Sequence, residues 1–314
     1  MANQVVQIQQ PGLLATLQDY GRYGHLAQGI THGGPMDERA FLWANRLLGN
    51  DFNAAQIEVT LGQFKATFLR DTLFAVTGAE FPLRLNDQIV KTWRVLQARA
   101  GDTLSIGVND LGLRCYFAVS GGFAAPSVHG SVATVVRDGL GGLRQDGTPL
   151  QQGDKLGTHQ AKHKTLESRR PSSRLNLSIP QQPLLNVVPA AQWSKFARKA
   201  RELLVGQSYE VTAQQDRMGV RLKGMHKLTD VPQSMISEPL PLGSIQLPAD
   251  GQPIAMMNDH QTLGGYPKIG VLTWTARCLL AQLPAGRKVQ FRWQELDEAQ
   301  RELRQVYRFF NIRR

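Results

Sequence analysis

Cysteine is almost missing from this chain. Cys115 and Cys278 are the only two in 314 residues, and they form no metal-ligand spacing, a usage that suits a reducing compartment, so a cytoplasmic location is expected. Long apolar runs are missing too. No uninterrupted stretch approaches the ~18 residues that a membrane span needs, so no membrane partner is expected. The opening MANQVVQIQQPG has neither a basic region nor an apolar core, so it does not read as a signal peptide. There is no Gly-Lys dipeptide anywhere, which removes the P-loop nucleotide site. H-E-x-x-H, paired C-x-x-C, EF-hand loops, G-x-S-x-G and a Met-Lys-Met biotin-attachment tripeptide are also absent. Gly139, Gly141 and Gly142 fail the dinucleotide fingerprint because Arg144 stands where a glycine is needed. His159 and His163 are four apart, but the lysines around them would repel a cation, so no metal site is expected.

What the chain does have is positive charge, a formal net +11. Such a balance first suggests nucleic acid or an acidic partner. Much of the excess, however, lies in Lys162 to Arg174 and in the tail ending Arg313, Arg314, and neither place interleaves basic residues with aromatics. A base-stacking platform would do so. Nucleic acid is therefore not expected as a partner, although the same field would steer a polyanionic substrate or an acidic partner protein.

With 42% hydrophobic residues, the chain is long enough for two domains with sizeable cores. Val5 to Ile8 reads as a first strand and Pro11-Gly12 as a turn. Asp37 stands at the N-cap position of a helix in which Ala40, Phe41, Ala44, Leu47 and Leu48 recur at helical spacing, and Gly49-Asn50 stops it. From Ile57 to Thr103 the pattern alternates with period two, and Asn86-Asp87 reads as a hairpin turn. Arg114 to Val119 is a nearly continuous apolar run ending in Ser120-Gly121-Gly122, either a strand-end turn or a backbone nest. Residues 157–182 turn polar, basic and proline-containing, as an inter-domain linker would. Strand signals return at Leu184 to Val188, Ala190 to Leu204 is helix-like, and Val289 to Trp293 is a last strand. An amphipathic helix then carries Leu296, Ala299, Leu303, Val306, Tyr307 and Phe310 on one stripe. The expected divisions are 1–156, a linker 157–182, 183–294 and a terminal helix 295–314. Thr16 to Gly24 and Thr212 to Gly219 are faintly alike, which hints at related halves.

Candidate chemistry concentrates in Ser237 to Gly270, where short apolar runs are cut by Pro248, Pro253, Pro267, Gly251, Gly264 and Gly265. Between the runs stand Ser237, Glu238, Gln246, Asp259, Gln261, Thr262, Tyr266 and Lys268. Well-capped turns would use such residues, and so would a polar pocket built on strand ends. Asp216 and Arg217, with the earlier Asp19, Arg22 and Asp37, complete the candidate set. The set suits recognition of a small polar amide or acid. Lys268 or Arg217 would face developing negative charge, Asp259 or Glu238 would accept a proton, and Gln246 and Gln261 would meet an amide edge. Arg217 paired with Asp216 or Glu238 would equally serve structure.

The blocks PGLLATLQDYGRYG, GGPMD with ANRLLGN behind it, VTGAEF, YFAVSGGF, QDRMGVRL, SEPLPLGSIQLPADGQPI and QTLGGYPKIG occur in order. From about Val5 to Arg292 they closely resemble the biotin-dependent carboxyltransferase-like family, also called allophanate hydrolase subunit 2-like. That resemblance implies a mainly β fold with a few helices and two cyclophilin-like β-barrel domains. It also implies one of several roles. The first is membership, together with B-like and A-like partner subunits, of an ATP-dependent hetero-oligomeric hydrolase that opens 5-oxoproline to glutamate. The second is biotin-dependent carboxyl transfer to urea or a related amide, and the third is antagonism of a kinase inhibitor. Two features depart from the family pattern: Pro35 stands where a small residue is expected, and Asn258-Asp259-His260 replaces a more usual Asp-Gly pair. Both bear on substrate choice.

Overall fold

The computed structural model describes residues 3–160, 170–171, 179–229, 232 and 235–312. The chain divides into two compact units, Met1–Tyr23 with Gly33–Ser178, and Gly24–His32 with Ile179–Arg314. The expected linker lies largely outside the described residues. The expected first boundary at 156 falls within a strand, Lys155–Thr158, that is paired into the first unit. The short excursion 24–32 groups with the second unit, which local pattern did not signal.

Among the described residues twelve strands build the first unit: β1 (Asn3–Gln10), β2 (Leu14–Gln18), β3 (Gln56–Thr60), β4 (Phe64–Phe68), β5 (Thr72–Gly78), β6 (Leu83–Leu85), β7 (Gln88–Val90), β8 (Leu96–Ala98), β9 (Thr103–Ile106), β10 (Arg114–Val119), β11 (Phe123–Ala124) and β12 (Lys155–Thr158). They form a seven-stranded sheet, β11-β12-β1-β4-β9-β6-β7, and a five-stranded one, β2-β3-β10-β5-β8. Strand β10 is buried along its whole length between β3 and β5, which is why its sequence is a run rather than an alternation. Asn86 takes φ +54° in the two-residue turn joining β6 to β7.

Helix α1 (Glu38–Leu48) packs on β5 and β10. Asp37 caps it by accepting from Ala40 N at 3.1 Å, and Gly49 ends it in the left-handed region at φ +67°.

The second unit is a closed barrel of β13 (Leu184–Pro189), β14 (Ser208–Gln215), β15 (Gly219–Gly224), β17 (Ser244–Gln246), β18 (Ile254–Met256), β20 (Lys268–Leu272) and β21 (Lys288–Trp293), in the order β13-β20-β17-β18-β15-β14-β21. It closes through a parallel pair, β13 with β21; its other pairs are antiparallel. A separate two-stranded ribbon joins β16 (Glu238–Pro239) to β19 (Leu263–Gly264). Alternation sets the inside: Leu185, Val187, Tyr209, Val211, Val220, Leu222, Val289 and Phe291 are buried.

The remaining helices are α2 (Arg198–Gly206), α3 (Trp274–Leu280) and α4 (Leu296–Phe310). Helix α2 begins later than the apolar spacing suggests, because a 3-10 turn, Trp193–Lys195, comes first. The fold is thus mainly β with a few helices, as expected. Its one closed barrel among the described residues is in the second unit, and the first unit is built from two sheets. Among the described residues no helix is long and apolar enough to cross a membrane.

Candidate functional site

Strands β17 and β20 lie next to each other, and all three residues of β17 are buried. Polar side chains here are informative, because a strand covered on both faces has no solvent to satisfy them. Gln246 is 2% exposed and pairs in register with Lys268, which is 7% exposed. The register shifts between Ile245 and Gln246, a bulge of the kind that re-aims a side chain.

Lys268 Nζ donates to Glu238 Oε2 at 3.1 Å. Gln192 Nε2 donates to the same oxygen at 2.6 Å, while Gln192 Oε1 accepts from Lys268 N at 2.7 Å. The backbone of β20 therefore fixes which way the Gln192 amide faces. The Lys268 ammonium, followed by the Gln192 bond and the nearby Lys195, holds the Glu238 carboxyl below its ordinary value.

Gln246 Nε2 is buried and has no hydrogen-bond partner. A buried donor left so costs about 1–3 kcal/mol, a cost that an arriving acceptor would remove. Gly264 makes room for it: a Cβ there would lie 2.5 Å from Gln246 Nε2.

The other candidates of the second unit differ in burial and partners. Arg217 and Asp259, both buried, form a two-bond ion pair. Asp216 is exposed and caps a turn, accepting from Met218 N at 2.7 Å and Gly219 N at 3.1 Å. Arg217 is thus paired with Asp259 rather than with Asp216 or Glu238. Ser237 and Tyr266 are exposed; Gln261 and Thr262 are half-buried, and Thr262 O accepts from Leu240 N. His260, beside Asp259, is buried with Nε2 donating to Leu240 O at 2.8 Å.

The three early candidates belong to the first unit, where Asp19 and Arg22 tie the segment after β2 to residues 128–133 and Asp37 caps α1. Asp19 accepts from Ser131 Oγ at 2.5 Å, Val132 N at 2.8 Å and Gly21 N at 3.0 Å. The Arg22 guanidinium donates to the carbonyls of Val128 and Ala133, and Asp37 is the helix cap. Near them Glu58 accepts from Tyr116 Oη and Met36 N, while Glu38 accepts from Tyr20 Oη. Burial, then the Glu58 charge, pushes the Tyr116 phenol well above its ordinary value.

Two open cavities, of about 580 Å³ by Arg70, Ser120 and His159 and about 530 Å³ by Tyr209, Lys223 and Lys288, include none of the sequence-predicted residues. Gln192 was missed by sequence reasoning. It stands in a stretch that reads as helix, and only the chain reversal that brings it to Lys268 reveals it. Among the described residues no group of His, Cys, Asp and Glu is suited to a metal.

The carboxyltransferase domain, subdomain A and B, matches residues 28–293. The chain belongs to that family. It is 36% identical to the C subunit of 5-oxoprolinase from Escherichia coli over 307 residues, covering 98% of this chain and 96% of that protein. Against the C subunit of 5-oxoprolinase from Haemophilus influenzae the identity is 35%, over 91% of this chain and 90% of that one. In structure it is similar to Kluyveromyces lactis urea carboxylase, with a TM-score of 0.85 and 25% identity over 98% of this chain. The solved relatives are longer. This chain spans 29% of the urea carboxylase chain, and 55% of another solved chain that it matches at 29% identity and a TM-score of 0.82.

Proposed function

We propose that this chain is the C subunit of an ATP-dependent 5-oxoprolinase, acting with B-like and A-like partner subunits to open 5-oxoproline to glutamate. The observation that carries the reading is the end-to-end match to the C subunit of 5-oxoprolinase, over 98% of this chain and 96% of that protein. The barrel site agrees with it chemically. Lys268, Gln192 and Gln246 offer one positive charge and amide donors at buried positions, with Glu238 at their edge, which suits a small molecule bearing an amide and an acid.

A lactam is resonance-stabilised, so its carbonyl carbon takes up water readily only once its oxygen carries a phosphoryl group. ATP bound to the assembly would supply that group. Water would then add, the ring C–N bond would break with the nitrogen leaving as the amine, and a second water would hydrolyse the acyl phosphate to the carboxylate and phosphate. The residues of this site do not fit a triphosphate, because the site centres on one buried ammonium already facing a carboxylate. We therefore assign nucleotide binding to the other members of the assembly, and this chain's contribution to holding and orienting the substrate.

Carboxyl transfer from biotin to urea or a related amide is the second reading, favoured by the likeness to urea carboxylase. Biotin's ureido oxygen is an acceptor that Gln246 Nε2 would fit, and the loaded group would supply an activated carboxyl. Coexpression with B-like and A-like partner proteins, followed by assay of glutamate from 5-oxoproline plus ATP, separates the readings. Product that requires ATP and this chain supports the first. A well-folded assembly that makes none rejects it.

A further inference from the structure

Glu238 is held in an unbalanced way. Its two bonds come from Lys268 Nζ and Gln192 Nε2, and both fall on Oε2. The donors are buried and braced: the Lys268 side chain is 9% exposed, and Gln192 is tied to the β20 backbone. The carboxylate side chain, by contrast, is 46% exposed and stands on a two-residue strand. Gly264, the cross-strand partner of Glu238, lies against Gln246 Nε2, which is buried and has no partner.

From this arrangement we infer that Glu238 is a displaceable placeholder: Lys268, Gln192 and Gln246 form a donor floor for the carboxylate of a ligand, which takes the place of the Glu238 carboxylate.

The charge arithmetic selects the ligand class. If Glu238 swings out with nothing in its place, the Lys268 ammonium is left buried and uncompensated, which is strongly unfavourable. A neutral amide does not cure that. A monocarboxylate does, because one unit of negative charge replaces another, while Glu238, already half-exposed, regains water. A dianion such as phosphate would leave a surplus negative charge. The unused Gln246 donor calls for one acceptor more than Glu238 provides, and a ligand carrying a carboxylate beside an amide has it. The inference rests on the reading of this cluster as the substrate site. Within that reading it gives Lys268 the substrate's carboxylate, rather than charge developing at the lactam.

The test is calorimetric titration of the full chain, wild type and Glu238→Gln, with three probes: 5-oxoproline, 2-pyrrolidone (the same lactam without the carboxylate) and acetate. Removing the competing charge is expected to tighten 5-oxoproline and acetate binding about tenfold or more, leaving 2-pyrrolidone unchanged. Glu238→Ala should act in the same direction, and Lys268→Met, checked for folding by circular dichroism, should lose carboxylate binding. If Glu238→Gln binds both carboxylates no better than wild type, or neither folded protein binds any carboxylate, the placeholder is overturned. If acetate gains affinity and 5-oxoproline does not, the carboxylate floor stands and the 5-oxoproline reading fails.

Discussion

Arg217 Nε and Nη2 each lie 2.8 Å from a different oxygen of Asp259, so the two side chains share a fork inside the second unit. Their backbones meet as well, with Asp259 N donating to Arg217 O at 2.8 Å. The pair therefore ties the turn between β14 and β15 to the loop after β18. Removing one partner would leave the other charge buried, at about 3–5 kcal/mol. Asp259→Asn should lower the unfolding free energy by an amount in that range, read as a drop in the urea midpoint with the slope unchanged. A variant as stable as the wild type would contradict a structural role.

The Glu238 carboxyl, held low by Lys268, gives a pH signature of definite sign. A carboxyl whose folded value lies below its ordinary 4.5 adds stability that is present above that pH, and loses it as pH falls through the lowered folded value. The difference in melting temperature between wild type and Glu238→Gln should thus be constant from neutrality to about pH 5 and shrink below 4.5. Thermal scans between neutral and acid pH read it. A difference that grows on acidification would reverse the assignment.

Gly264 is small because the Gln246 amide lies where its Cβ would be. The atom in the way is the end of a side chain, so Gly264→Ala should cost little stability, about 1 kcal/mol or less, while pushing Gln246 aside. The assembled enzyme should lose activity with its melting temperature nearly kept. Equal loss of both would make Gly264 a packing residue only.

Much of the fold was legible where a residue acts on its immediate neighbours. Asp37 and Gly49 announce both ends of α1, Asn86-Asp87 announces a hairpin, and the unbroken run of β10 announces a strand covered on both sides. The terminal stripe from Leu296 to Phe310 became α4. What was not legible depends on distant chain. Trp193 and Phe196 mimic helical spacing, yet a 3-10 turn and an extended Phe196 delay α2 to Arg198. Gln192 joins the site only through Glu238 and Lys268, 46 and 76 positions away. Asp37 and Asp216 accept from backbone N–H groups at a helix cap and a turn, bonds that local pattern does signal, whereas Asp19 and Arg22 reach residues 128–133, which it does not.

The two cysteines should be silent. Cys115 is fully buried in β10, and burial followed by the Glu58 charge pushes its thiol far up; Cys278 is buried in α3. A disulfide-exchange reagent such as Ellman's should label neither in the native protein and both in urea. Rapid native labelling of either thiol would show that its element opens readily.

Gln246→Leu in the assembled enzyme, with glutamate formation and thermal unfolding read on the same preparation, tests the central claim most directly. The substitution removes a buried donor that satisfies nothing within the protein, so stability should hold or rise, while activity falls by about tenfold or more for want of a ligand contact. Unchanged turnover, or a loss of activity explained by unfolding, would contradict the assignment of this cluster to the substrate.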